Sequence, residues 1–189
     1  GGTMRMTNVD TVQTFMQTGI SSTLSGQTDV SMDITNFTDS LLIQTNSDGS
    51  APTTGTLSSA TGNTGIGKST FTALTSGTYN TAYGYSTLAA LTTGIRNTAI
   101  GYQSGDASTI GRYNTSMGYQ SFTTDIDGDF CTALGYSALS AQESDSANQA
   151  VYNTAIGANA GRTLTTGIQN TFVGGYTGGG AAITGDDNT

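Results

Sequence analysis

At 189 residues the chain is long enough for one ordinary domain, yet only 10% of it is charged and 34% apolar, with one Cys, one Pro, no Trp and no His. A net charge of −8 without any run of Lys or Arg argues against a nucleic-acid partner. No stretch of 18 apolar residues could form a membrane-spanning helix, and the missing His removes Ser-His-Asp, Cys-His and His-metal chemistry, so no enzymatic activity is expected.

The chain opens on "GGTMRMTNV", which shows neither the basic start nor the apolar run of a signal peptide. In "VDTVQTFMQT", 9–18, Val9, Val12, Phe15 and Met16 stand at helix-like spacing, although Thr is a poor helix former. "TDVSMDITNF", 28–37, alternates Val30, Met32 and Ile34 against polar neighbours, as in a half-buried strand. "SLLIQTN", 40–46, is a second strand candidate ending at the turn signal "NSDGS". "APTTGTLSSATG", 51–62, reads as a linker or an irregular first coil. Residues 1–62 are therefore expected to form a β-rich cap or connector, because the end of a repeat array exposes backbone and apolar columns that need cover.

From residue 63 one phrase returns at a fixed interval. Taking its Asn as position zero, it falls at Asn63, Asn80, Asn97, Asn114, Cys131, Asn153, Asn170 and Asn188. The steps are 17 residues, except one of 22 and a last one of 18. Position +1 is always Thr, as at Thr98. Position +3 is bulky and apolar: Ile66, Tyr83, Ile100, Met117, Leu134, Ile156 and Val173. Position +4 is always Gly, as at Gly101, and +5 is Tyr in four consecutive copies, Tyr85, Tyr102, Tyr119 and Tyr136. Position −3 is Gly at Gly77, Gly94, Gly111, Gly128 and Gly167, and −6 adds Leu57, Leu74, Leu91 and Leu164.

Seventeen residues are too few for a helix pair, and this density of Gly and Thr opposes helix. Two short strands with two turns fit the length, so the expected fold is all-β: a parallel β-solenoid over 63–189 with one motif per coil. Equivalent residues then stack at the strand spacing of about 4.8 Å. The +3 residues should form an internal apolar ladder. The −3 Gly should turn the chain with positive φ. The +4 Gly serves either a bend or a close approach between backbones. Stacked Asn side chains can bond in a ladder, or Asn can supply a left-handed turn residue. The five extra residues of the long step, within "SALSAQESDSANQA", should leave the coil as a polar loop.

The phrases "NTAIGYQSG", "CTALGYSAL" and "NTAIGANAG" resemble the Asn-Thr-Ala-Ile-Gly-Tyr repeats of tailed-phage tail-fibre shafts. They are also similar to the head repeats of trimeric autotransporter adhesins. The resemblance covers about two thirds of the chain. It implies a homotrimeric β-roll on a virion surface, or alternatively on a bacterial cell surface, with a structural or adhesive role in host attachment. "DDNT" opens an eighth repeat and stops, as a fragment of a longer chain would.

Few candidate sites emerge. Asp125, Asp127 and Asp129 in "TDIDGD" place oxygen ligands at alternating positions, like the opening of a Ca²⁺ loop. The bidentate Glu of such a loop is missing, and the same acids fit an ordinary inter-coil turn. No other cofactor is expected. Tyr85, Tyr102, Tyr119 and Tyr136 could offer ring surfaces to a glycan or pack against neighbouring chains. The Thr column resembles a hydroxyl array, with satisfaction of backbone groups at a turn as its expected duty. Cys131 is expected to be a small buried side chain, with a bridge to another chain as the alternative.

Overall fold

The computed structural model describes residues 30–34, 36–44 and 52–188. The helical reading of 9–18 and the turn at "NSDGS" lie outside these residues. Among these residues ten strands form one sheet: β1 (Val30–Ile34), β2 (Phe37–Ile43), β3 (Ala60–Thr61), β4 (Thr64–Ile66), β5 (Thr81–Tyr83), β6 (Thr98–Ile100), β7 (Thr115–Met117), β8 (Thr132–Leu134), β9 (Thr154–Ile156) and β10 (Thr171–Val173). β1 and β2 form an antiparallel hairpin, with Asn36 left-handed at φ 65°. From β2 onward all pairing is parallel, and β4 to β10 follow one another in chain order.

Register makes each motif one coil of a parallel β-solenoid. Thr64 pairs with Thr81, Thr81 with Thr98, and so on to Thr154 with Thr171. A hairpin within each 17-residue unit would have placed an antiparallel strand between these partners, and none is there. The long step leaves the register intact, since Thr132 pairs with Thr154. Residues 143–148 lie outside the strands and are mostly exposed, as a surface loop should be.

The inward face differs from the expected one by a single residue. Position +2, between Thr and the bulky residue, is the buried one: Gly65, Ala82, Ala99, Ser116, Ala133, Ala155 and Phe172. Position +3 points outward, with Tyr83, Met117, Ile156 and Val173 exposed and Ile66, Ile100 and Leu134 half-buried. Because side chains alternate along a strand, the one-residue slip reverses the whole column.

The physical reason lies at +8. Phe71, Leu88, Phe122 and Leu139 come inward there and fill the narrow lumen together with Leu74, Leu91 and Leu164. A Cβ on Gly65 would sit 2.8 Å from the Phe71 ring. Where +2 is instead Phe172, +8 is Gly178, and a Cβ there would meet the Phe172 ring at 2.6 Å. A large residue in one column is thus met by a small one in the other, as close packing requires. Every +8 residue has positive φ, from 47° at Leu88 to 66° at Gly178.

The Asn ladder is present and buried. The Asn80 N–H donates to Asn63 Oδ1 at 2.9 Å, and Asn97 N–H to Asn80 Oδ1 at 2.9 Å. Asn80 Nδ2 donates onward to the Gly94 carbonyl at 2.9 Å, and Asn97 Nδ2 to that of Gly111 at 2.7 Å. Each Asn thus ties three successive coils together. None of these Asn residues is left-handed; the residue before each one is. The −3 glycines do not have positive φ either, contrary to expectation. They are Gly because a Cβ on Gly77 would lie 2.5 Å from the Gly94 carbonyl oxygen, and one on Gly94 2.4 Å from that of Gly111. The +4 glycines meet both demands raised for them. Gly101 has φ 128°, and a Cβ on it would lie 2.5 Å from Gly118 O.

β2 imitates a coil without the motif. Leu41, Leu42 and Ile43 pair with Thr64, Gly65 and Ile66, which puts Ser40 in the Asn position. Ser40 Oγ accepts the Asn63 N–H at 2.8 Å, so a hydroxyl terminates the ladder.

Candidate functional surface

Two aromatic ladders run along the outside of the solenoid. The first is the +5 column, beyond the glycine bend. Tyr85, Tyr102, Tyr119 and Tyr136 stack with ring centroids 5.2, 5.1 and 5.4 Å apart and interplanar angles of 7–9°. The ring spacing follows the rise of one coil.

The second ladder occupies position −1 and had no counterpart in the sequence reading. Tyr113, Phe130 and Tyr152 stack at 4.9 Å, and the Arg96 guanidinium lies 5.7 Å from the Tyr79 ring and 5.4 Å from that of Tyr113. Arg96 Nη1 also donates to Tyr113 Oη at 2.7 Å. All five residues have φ between 55° and 62°. Left-handed aromatic residues run against local preference, so no propensity argument finds them. The only legible signal was the recurrence of Tyr, Tyr, Phe and Tyr just before the repeat's first residue.

Between the ladders lies a strip built by the strands, made of the +1 Thr and +3 apolar columns. Thr98 and its equivalents lie in strands and point outward, exposed or half-buried, rather than serving a turn. The strip and both ladders carry few charges, with Arg96 and Lys68 among them.

The three acids of "TDIDGD" part company. Asp129 is buried and engaged by Arg112: its Oδ1 accepts the Arg112 N–H at 2.7 Å, and its Oδ2 accepts Nε at 2.9 Å and Nη2 at 2.5 Å. Asp125 turns into the lumen in the Leu91 column, where its Oδ1 accepts the Gly128 N–H and the Ser144 hydroxyl, each at 2.9 Å. Ser144 Oγ also contacts Asp127 Oδ1, which fastens the 22-residue step to the coil below. Among the described residues no three acidic, Cys or His side chains are grouped so as to hold a metal ion. Asp125 and its neighbours act as an inter-coil turn.

Burial raises the Asp125 carboxyl above its ordinary range, against the lowering effect of its hydrogen bonds. A carboxyl with a higher pKa folded than unfolded costs stability above the folded pKa. That cost fades as pH falls towards the unfolded value near 3.9. Asp125→Asn is therefore expected to raise the melting temperature at pH 7 and to flatten its rise on acidification to pH 4, as followed by thermal unfolding. An unchanged pH slope in the variant would contradict this account.

Cys131 takes an Asn position and is buried. Its thiol pKa is pushed far up, first by burial and then by the nearby Asp125 charge, so the thiol is unreactive in the folded coil. Cys131 N–H still accepts its place in the ladder by donating to Asn114 Oδ1 at 2.8 Å.

Comparison with protein-family models, with curated proteins and with solved structures returned no match to this chain. No helix among the described residues is long and apolar enough to cross a membrane.

Proposed function

We propose that this chain is a non-catalytic shaft or spacer segment of a homotrimeric fibre on a virion surface, serving attachment to a host. One observation carries the reading: the bulky +3 column faces out of the coil. A monomeric soluble protein rarely exposes a continuous apolar patch of this kind. Met117 is 44% exposed, Ile156 41% and Val173 64%, in register along one strip with few charges. A flat, regular face of this composition suits packing against equivalent faces of further copies around a common axis, and parallel coils give each copy the same strip at every level. The resemblance of the repeat to phage fibre shafts supports the same reading; a bacterial surface adhesin would differ in source rather than in physics.

Native mass measurement at micromolar concentration tests it. Three chains are expected, and a stable monomer would overturn the assembly. Met117→Asp, at an outward position, should lower the assembled fraction at least tenfold while the circular dichroism of the strands persists.

A second reading, a glycan-binding adhesive surface, is favoured by the +5 tyrosines. They stand beyond the strip and are exposed, and each offers an apolar body with a polar edge.

A further inference from the structure

The stacking that makes the +5 ladder regular also restricts what it can bind. A sugar packs its C–H face on the flat of an aromatic ring, and rings stacked at 5.1–5.4 Å have their flats covered by one another. Tyr102 and Tyr119 each have a tyrosine on both sides. Tyr85 has Tyr102 on one side and Lys68 in the same column on the other. Tyr136 alone differs: beyond it the column continues as Ala158 and then Gly175, both exposed. Beyond its outer ring face the +5 column holds small residues for two coils, with the exposed Tyr176 beside Gly175 and its N–H on the Ala158 carbonyl at 2.9 Å. Exposure follows this, at 53% for Tyr136 against 44%, 41% and 46% for Tyr85, Tyr102 and Tyr119.

We propose that the open face of Tyr136, above Ala158, is a binding site for one neutral pyranose ring. The site rests on the glycan-binding reading and narrows it from four tyrosines to one ring face. A pyranose fits the geometry as a fifth member of the stack. It is about one coil thick, its apolar face meets the phenol ring, and its hydroxyls remain at the solvent edge beside the Tyr136 hydroxyl. The uncharged floor provides no partner for a carboxylate or phosphate, which selects a neutral sugar over an acidic one.

The ladder dictates the variant. Tyr136→Ala would uncover the Tyr119 face and move the site down by one coil, so it is a poor test. Ala158→Lys instead places a long side chain beside Tyr136 in the register that Lys68 has to Tyr85, and it falls at an exposed position. The full chain is screened on an array of neutral and sialylated hexose oligosaccharides, and lactose and p-cresol are titrated in solution with the tyrosine ring protons followed by NMR. The wild type is expected to bind neutral glycans, with shifts centred on Tyr136, and Ala158→Lys to lose at least tenfold in affinity with an unchanged melting curve. Glycan binding that survives Ala158→Lys would overturn the site and leave the glycan reading standing. No binding to any glycan by the wild type would overturn both. Shifts at Tyr136 with p-cresol but not lactose would overturn the sugar in favour of an aromatic side chain from a partner.

Discussion

Ala99→Asp is expected to unfold the coil, whereas Ile100→Asp leaves it folded. The two positions adjoin on β6, but Ala99 is fully buried and Ile100 only half-buried. A carboxylate at Ala99 would enter a lumen lined by Ala82, Leu88 and Leu91 with no cation to meet it. An uncompensated buried charge costs about 3–5 kcal/mol, much of the total stability of a typical domain. At Ile100 the same charge projects to the outer strip, where the cost to the coil is about 1 kcal/mol or less. Its effect should instead fall on assembly, read as a lower native mass. Urea unfolding followed by circular dichroism separates the two. Equal losses of folding stability would mean that the faces of the strand are assigned the wrong way round.

Gly101→Ala should be nearly as damaging for a different reason. The added Cβ would lie 2.5 Å from the Gly118 oxygen and 2.8 Å from its carbon, both of them backbone. That backbone cannot retreat without stretching the 2.8 Å bond from the Gly118 N–H to the Ile100 carbonyl. A φ of 128° adds a conformational cost of about 1–3 kcal/mol for any residue with a Cβ. A total loss of about 3 kcal/mol or more is expected. Gly174→Ala supplies the control, because Gly174 has φ 117° but its Cβ would meet only Thr177 Cγ2, at 3.4 Å. It should lose the conformational part alone. If both variants lose the same amount, close approach between coils is not what holds position +4 to Gly.

The coil itself was legible because its constraints act at one position in every copy. The Asn column, the +4 Gly and the insertion each carry a demand that a single residue type answers, and repetition made those demands visible. The inward face was misread because bulky apolar residues are ordinarily core. Here the lumen takes its bulk from +8 and +11, and +2 must be small wherever +8 is large. That exchange was present in the sequence as Gly65 with Phe71 against Phe172 with Gly178. It couples two columns, and a reading of one column at a time passes over it. The −1 ladder was hidden for another reason. Its aromatic residues adopt a left-handed conformation that the coil imposes at −1 in every copy, Gln169 and Asp187 included, and that their own chemistry disfavours. Local sequence says nothing of a neighbour 17 residues away unless that distance is already known.

The Asn ladder bears on length as well as strength. Asn80 offers Asn97 the same acceptor that Asn97 offers Asn114. Removing or duplicating one such coil would rejoin the Asn ladder through the same bond, while the lumen residues at +2 and +8 would meet new neighbours. Unequal recombination between such repeats can therefore lengthen or shorten the molecule in increments of about 4.8 Å while every surviving bond keeps its geometry. A change of any other size must bulge outward, as the five extra residues before Asn153 do. The chain is in this sense a ruler whose divisions share one ladder, and Cys131 is the rung that has no amide oxygen to offer the next coil.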